Sequence, residues 1–225
     1  MTPGAGVPSV RGIVFDLDGT LVDSLADIAH AMNRAFAELS LPPVTAEQVR
    51  PALGHGALEL VRESVRAVAP DRTDDAFVTA VCRVYLEAYA ADPAPYTRLY
   101  ADAGTALPAL RDAGIALGIC TNKTTGLAWQ VLRAVGLDGV LTAVRGRDAT
   151  QHPKPDPRHL LETVAELGLS ATEVVYVGDN PVDVAVGRGA GVGYRHVAWG
   201  EPVPDDVARM ECFAELDPGR RAAAR

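Results

Sequence analysis

Two aspartates directly after an apolar run are the first residues that could carry chemistry. Asp16 and Asp18 follow the run at residues 10–15, and Gly19 comes next. Side chains two positions apart on an extended segment point the same way, so both carboxylates should lie past the carboxyl end of a strand, where open α/β sheets bind ligands. The two carboxylates would repel each other, and Mg²⁺ with its oxygen ligands would relieve that repulsion. An ordinary turn before a glycine accounts for Asp18 but leaves Asp16 unexplained.

A second pair of aspartates follows another apolar run, at residues 174–177. Asp179 comes just after that run and Asp183 lies one helical turn later, so both can face the same cation. Together with Asp16 they would form a site of three carboxylates. The alternative is that Asp179 or Asn180 simply caps the helix that follows.

Hydroxyl, amide and ammonium groups stand at two further junctions. Thr121 and Asn122 end the apolar run at 115–120, where a hydroxyl and free backbone N–H groups could hold a phosphate. Both residues are also common as plain helix caps. Lys154 lies in the proline-rich segment 152–157, which restricts where its ammonium can point, so it could neutralise a phosphate. A surface lysine in a stiff loop is the competing interpretation.

The elements that must position these residues alternate along the chain. Five short apolar segments are predicted strands: residues 10–15, 115–120, 140–144, 174–177 and 194–198. Apolar residues with helical spacing lie between most of them. This alternation predicts an α/β fold whose core is a Rossmann-like, doubly wound parallel sheet.

One stretch, residues 25–91, shows helical periodicity without a convincing strand. Thr45 and Gln48 form a capping-box pattern for one of its helices. We therefore predict an inserted α-helical cap at 24–92. The core is then formed by 1–23 and 93–216, and 217–225 is expected to be a flexible tail.

Composition limits the possible partners. The 225 residues carry a formal net charge of -8 without a Lys/Arg run, which disfavours binding to nucleic acid or to an anionic membrane. The three cysteines, Cys82, Cys120 and Cys212, lack the spacing of a disulfide framework or a zinc site. No run reaches the ~20 apolar residues of a membrane span, and residues 1–11 lack a signal-peptide pattern. We expect a cytoplasmic protein, either a monomer or a homodimer.

The order of these motifs resembles the haloacid dehalogenase (HAD) superfamily. The motif residues are Phe-Asp-Leu-Asp-Gly-Thr-Leu-Val-Asp-Ser at 15–24, Thr121, Lys154, and Gly-Asp-Asn-Pro-Val-Asp at 178–183. The helical insert, Gly-His-Gly at 54–56 and Thr-Asn-Lys at 121–123 are similar to the phosphoglycolate phosphatase branch. The resemblance implies a Mg²⁺-dependent phosphatase that hydrolyses a small phosphorylated metabolite, a phosphate monoester like phosphoglycolate, through an aspartyl-phosphate.

The resemblance also implies roles for individual residues. Asp16 would be the nucleophile, and Asp18 would protonate the leaving group and then activate water. The expected metal ligands are Asp16, the backbone carbonyl of Asp18, Asp179 and Asp183. The expected phosphate-binding residues are Gly19, Thr121, Asn122 and Lys154. His55 could reach the other end of the substrate or could be a solvated histidine at a hinge. Asn180 departs from the residue that many relatives carry, and it is not counted as a ligand.

Three alternatives to this function stay open at this stage. The same nucleophile could serve a sugar phosphomutase, which returns the phosphoryl group to the sugar. A phosphatase dedicated to one biosynthetic intermediate fits equally well. A non-catalytic module that binds a partner through its cap is disfavoured, because all four motif positions carry residues competent for the chemistry.

Overall fold

The computed structural model of the chain describes residues 10–217. Its strands are β1 Gly12–Phe15, β2 Val22–Asp23, β3 Arg98–Leu99, β4 Ala116–Cys120, β5 Ala143–Arg145, β6 Val174–Gly178, β7 Gly193–Val197 and β8 Arg209–Met210. Six of these strands form one parallel sheet in the order β5-β4-β1-β6-β7-β8. The predicted doubly wound parallel sheet is confirmed.

Eight α-helices accompany the strands in the described part of the chain. Four follow β2, and they are α1 Leu25–Glu38, α2 Ala46–Val49, α3 Ala57–Val68 and α4 Asp75–Ala91. The other four cover the sheet, and they are α5 Ala103–Asp112, α6 Thr125–Ala134, α7 Pro157–Glu166 and α8 Pro181–Ala190. The short antiparallel pair of β2 and β3 marks where the chain leaves the sheet and returns to it.

The register of the central strands decides which residues meet at the sheet edge. Phe15 of β1 is level with Ile119 of β4 and with Val177 of β6. The three strands therefore end together, because parallel neighbours run in the same direction. The residues that follow them, Asp16, Thr121 and Asp179, are brought to one edge.

Two separate hydrophobic clusters support the two parts of the molecule. The sheet cluster includes Phe15, Ile119 and Val177, and the helical cluster is built largely from side chains of α1, α3 and α4. We call residues 24–92 the cap. Its exact boundaries stay a prediction, and residues 218–225 of the predicted tail lie outside the described residues.

Two details differ from the sequence-based expectation. The strand predicted at 140–144 begins at Ala143, because the Val140 N–H bonds to the Leu137 carbonyl in a turn and only the later residues pair with β4. Strands β2, β3 and β8 were not predicted, since two residues each give no usable alternation. Within residues 10–217, no helix combines the length and hydrophobicity needed to cross a bilayer.

Candidate active site

Three buried aspartates converge at the carboxyl edge of the sheet. Asp16 follows β1, Asp179 follows β6, and Asp183 lies in the first turn of α8. Carboxylate oxygens of all three lie within 4.8 Å of one another. Asn180 does cap α8, since its Oδ1 accepts hydrogen bonds from the N–H groups of Val182 and Asp183. This N-cap at Asn180 fixes the start of α8 and so holds Asp183 opposite Asp16.

Lys154 lies inside this carboxylate cluster. Its Nζ is 2.9 Å from Asp16 Oδ1 and 2.9 Å from Asp183 Oδ1, and its side chain is only 1% exposed. The ammonium also donates to the hydroxyl of Tyr176 at 3.2 Å, and that hydroxyl donates to Asp183. The competing interpretation, a lysine on a solvated loop, is therefore excluded by its position.

The charges of this cluster are not balanced within the protein. Burial raises the pKa of Asp16 to about 7, and the nearby carboxylate of Asp183 adds to that rise although Lys154 opposes it. Burial and Asp183 likewise raise the pKa of Asp179 well above its usual value. Three carboxylates face one ammonium, so a further cation would stabilise their charged forms. The all-oxygen donor set fits a hard divalent cation such as Mg²⁺.

Gly19 allows the loop after β1 to pass next to Asp179. Its φ is +88°, and a Cβ atom at this position would lie 2.2 Å from Asp179 Oδ2. The next hydroxyl, that of Thr20, donates to Asp179 Oδ1 at 2.8 Å. A side chain at position 19 would therefore displace a carboxylate of the cluster.

Asp18 stands apart from the three clustered carboxylates and has its own partners. Its Oδ1 accepts a hydrogen bond from Ser24 at 2.5 Å, and its Oδ2 pairs with Lys123 Nζ at 3.0 Å. Lys123 also donates to the hydroxyl of Tyr89 on α4 at 2.9 Å. This ammonium therefore joins the candidate acid/base residue to the cap.

Lys123, Ser24 and Tyr89 were not among the predicted site residues. Lys123 belongs to the Thr-Asn-Lys motif at 121–123, but the sequence does not reveal that its ammonium pairs with Asp18. A stronger signal was available, because the chain contains just two lysines, Lys123 and Lys154. Both side chains are at most 5% exposed and point into the same site.

Thr121 and Asn122 lie where they were predicted, at the end of β4. Thr121 is buried, and its hydroxyl accepts the N–H of Lys123. The Asn122 Nδ2 donates to the Gly54 carbonyl of the cap at 2.8 Å and to the Lys154 carbonyl at 3.0 Å. The side chain of Asn122 thus connects the cap, the sheet edge and the lysine loop.

His55 is not brought to the carboxylate cluster. The residue is exposed, and its Nδ1 lies 3.2 Å from the Leu53 carbonyl. It lines an outer groove of the cap together with Glu59 and Glu63. Its neighbours Gly54 and Gly56, rather than the imidazole, line the cavity above Asp16.

Comparison with known proteins agrees with this geometry. Residues 13–197 match the family described as Haloacid dehalogenase-like hydrolase. The chain is 39% identical over 214 residues to the phosphoglycolate phosphatase of Rhodospirillum rubrum, covering 92% of this chain and 89% of that protein. It is 39% identical over 194 residues to the phosphoglycolate phosphatase of Cereibacter sphaeroides, covering 82% and 87%.

A solved structure gives the same result for the fold. The crystal structure of a predicted phosphoglycolate phosphatase from Haemophilus somnus superposes with a TM-score of 0.84 at 27% identity, covering 94% of this chain and 98% of that one. The chain belongs to the haloacid dehalogenase-like hydrolase family. Within that family it is a phosphatase, a hydrolase of phosphoric monoesters, of the phosphoglycolate phosphatase-like branch.

Proposed function

We propose that this phosphatase depends on Mg²⁺ and hydrolyses a small phosphate monoester through an aspartyl-phosphate on Asp16. The observation that carries the proposal is the contact of Lys154 with Asp16 and Asp183 inside a buried cluster of carboxylates. Such a cluster is costly to bury unless an ion is held there, so its presence at the sheet edge supports a functional role.

Asp16 would hold the cation together with Asp179 and Asp183, and the backbone carbonyl of Asp18 would contribute a further oxygen. When bound, Mg²⁺ would neutralise charge on the phosphoryl oxygens and keep the nucleophilic carboxylate ionised. Lys154 would neutralise further phosphoryl charge. The backbone at Gly19, the hydroxyl of Thr121 and the backbone N–H of Asn122 would position the phosphoryl group.

Two displacements at phosphorus complete the proposed reaction. In the first, an oxygen of Asp16 forms a bond to phosphorus, the bond to the substrate alcohol breaks, and Asp18 gives its proton to the departing alkoxide. In the second, Asp18 takes a proton from water, the water oxygen bonds to phosphorus, and the bond to Asp16 breaks. Inorganic phosphate leaves and both aspartates return to their starting states.

Lys123 and Ser24 would hold the carboxylate of Asp18 in position for both proton transfers. Because Lys123 also contacts Tyr89 of α4, this arrangement depends on the cap at 24–92 lying against the core at 1–23 and 93–216. A closed cap would keep water away from the first displacement.

The names of the relatives make 2-phosphoglycolate the reference substrate to try first. A sugar phosphomutase of the same superfamily would use the same nucleophile, and a phosphatase for a biosynthetic intermediate would use the same mechanism. A cytoplasmic location and a monomeric or homodimeric state stay predictions.

The test is release of inorganic phosphate from a panel of phosphate monoesters, with and without Mg²⁺. We expect release that requires Mg²⁺ and falls by at least about 10⁴-fold in Asp16→Asn, since the nucleophile is lost. The matched control is Asp138→Asn, which changes an exposed aspartate that belongs neither to the carboxylate cluster nor to the cavity lining. Unchanged turnover in folded Asp16→Asn would refute the mechanism, and activity that needs a sugar bisphosphate activator would favour the mutase.

A further inference from the structure

The cavity between the sheet edge and the cap is larger than a two-carbon phosphate ester requires. Its volume is about 390 Å³, and cavities of roughly 300 to 1,000 Å³ suit drug-sized ligands. Asp16 and Asp18 lie at its buried end, while the exposed side chains Leu58 and Arg147 lie at its open end. A glycolate leaving group would fill only part of the space between the two ends.

This volume belongs to a cap that is already in contact with the core. The Asn122 side chain bonds to the Gly54 carbonyl at 2.8 Å, and Lys123 bonds to the Tyr89 hydroxyl at 2.9 Å. Both contacts join the two sides of the cavity. The space is therefore present while the cap contacts the core.

The wall between the two ends is mainly apolar. Side chains of three cap helices and one core helix line it, and they are Ile28, Ala57, Leu58, Leu60, Cys82, Leu86 and Leu127. Removal of apolar surface from water favours binding in proportion to the area buried. A substrate with an apolar body gains from this wall, whereas a fully hydrophilic one would lose hydration without compensation.

The guanidinium of Arg147 and the hydroxyl of Tyr85 are polar groups of the lining that lack a partner within residues 10–217. The Arg147 side chain makes no ion pair or hydrogen bond there, and a Cβ atom at Gly56 of the cap would lie 3.5 Å from its Nη1. Tyr85 is 3% exposed, and its hydroxyl has no hydrogen-bond partner. Burial raises the pKa of Tyr85 well above its usual value, so the hydroxyl stays protonated and can donate a hydrogen bond. The other charged groups are occupied, since Lys123 pairs with Asp18 and Asp148 accepts two hydrogen bonds from Thr125.

We propose that the leaving alcohol of the substrate has a ring-sized apolar body and a distal carboxylate, the body packing on the cap wall and the carboxylate facing Arg147. The proposal rests on the phosphatase function proposed above and specifies its substrate class. The hydroxyl of Tyr85 would donate to an oxygen of the same leaving group. Charge-assisted bonds between guanidinium and carboxylate are among the stronger polar contacts.

Three esters of primary alcohols test the class, because similar leaving groups separate binding from intrinsic reactivity. They are 2-phosphoglycolate, benzyl phosphate and 4-(phosphonooxymethyl)benzoate. We expect kcat/KM for benzyl phosphate to exceed that for 2-phosphoglycolate by about tenfold, with the benzoate ester higher by about tenfold again. Ala57→Phe should narrow the cavity at the wall and lower kcat/KM for both ring esters by a larger factor than for 2-phosphoglycolate.

Arg147 is tested by Arg147→Gln on the two ring esters. We expect a loss of about tenfold for the benzoate ester and less than about twofold for benzyl phosphate. The matched control is Arg133→Gln, an exposed arginine of α6 that does not line the cavity. Equal losses on both esters would contradict the assignment of the carboxylate to Arg147.

The outcomes separate this proposal from the function on which it rests. If 2-phosphoglycolate is hydrolysed at least as efficiently as both ring esters, the substrate class is overturned and the phosphatase function stands. If none of the esters releases phosphate with Mg²⁺, the proposed function fails. In that case, calorimetry with Mg²⁺ present compares the binding of benzylphosphonate and phosphonoacetate. Tighter binding of benzylphosphonate would support the proposed substrate class, and tighter binding of phosphonoacetate would overturn it.

Discussion

On the sheet side of the cavity the side chains are charged and buried, whereas on the cap side they are mainly apolar. Asp16, Asp179, Asp183 and Lys154 are all less than 10% exposed and face one another across a few ångströms. The cap wall is built from helices whose own core is a continuous hydrophobic cluster. Burying like charges costs stability and burying apolar surface contributes it. The residues of the sheet side are therefore constrained by their charges, whereas apolar residues of the cap side can be exchanged for others of similar volume at a lower cost.

Replacing the one ammonium of the charged side should have the largest effect. Lys154→Met leaves three buried carboxylates without their internal counterion, which should cost about 3 to 5 kcal/mol of unfolding free energy and abolish measurable turnover. The measurements are urea denaturation of the metal-free protein and phosphate release. The double variant Lys154→Met/Asp183→Asn should regain part of the stability but none of the activity. A single variant as stable as the unmodified protein would show that the cluster is not held by this lysine.

Metal should stabilise the charged side and leave the cap side untouched. Because Asp16 has a raised pKa near 7, the folded metal-free protein binds more protons than the unfolded chain between about pH 4 and 7, so this group lowers stability as pH rises. Mg²⁺ at a hundred times its dissociation constant should raise the free energy of unfolding by about 2.7 kcal/mol. The increase should be larger at pH 7.5 than at pH 5. Thermal denaturation with Mg²⁺ or a chelator checks this, and an undiminished gain in Asp179→Asn would contradict the assigned site.

Lys123 makes one of the two side-chain contacts described above between the sheet side and the cap side. Lys123→Met should lower kcat by about 10- to 100-fold, since Asp18 loses the partner that orients it for proton transfer. Tyr89→Phe keeps the Lys123–Asp18 pair and removes only the cap hydroxyl, so its loss should be smaller, about fivefold or less. Steady-state kinetics on one ester measure both. Equal losses in the two variants would mean that cap closure, and not the position of Asp18, is the function of the lysine.

The smallest expected effect concerns a histidine behind the charged side. His159 is buried, its Nδ1 accepts the backbone N–H of Lys154, and burial followed by the charge of Lys154 lowers its pKa to about 4. The unfolded chain therefore binds the proton first, and stability falls as pH drops below the ordinary value. The free energy of unfolding therefore decreases between pH 6 and pH 5. We expect His159→Gln to make that decrease smaller by about 1 kcal/mol. Urea denaturation at the two pH values measures it, and an unchanged slope would contradict the shift.

How far the sequence predicts this molecule follows the same division. The sheet edge could be predicted because Asp16, Thr121 and Asp179 each follow an apolar run, and parallel strands end together. The hydrogen bond from Lys123 to Tyr89 could not be predicted, because these two residues meet only when the cap packs on the core. The orientation of the His55 side chain could not be predicted either. His55 lies in a loop between two glycines, and such a loop has no periodicity that indicates which side chains face the site. Local pattern specifies strand ends, whereas contacts across the cavity depend on tertiary packing.

The scarcity of lysine makes Lys123 a convenient reporter of contact between the cap and the core. The chain contains two lysines, and Lys154 precedes Pro155, a bond that resists proteases specific for lysine. The Lys123 side chain is 5% exposed and contacts Tyr89 of the cap, so cleavage after Lys123 measures how often this region opens. A protease that cuts after arginine finds many exposed sites at once.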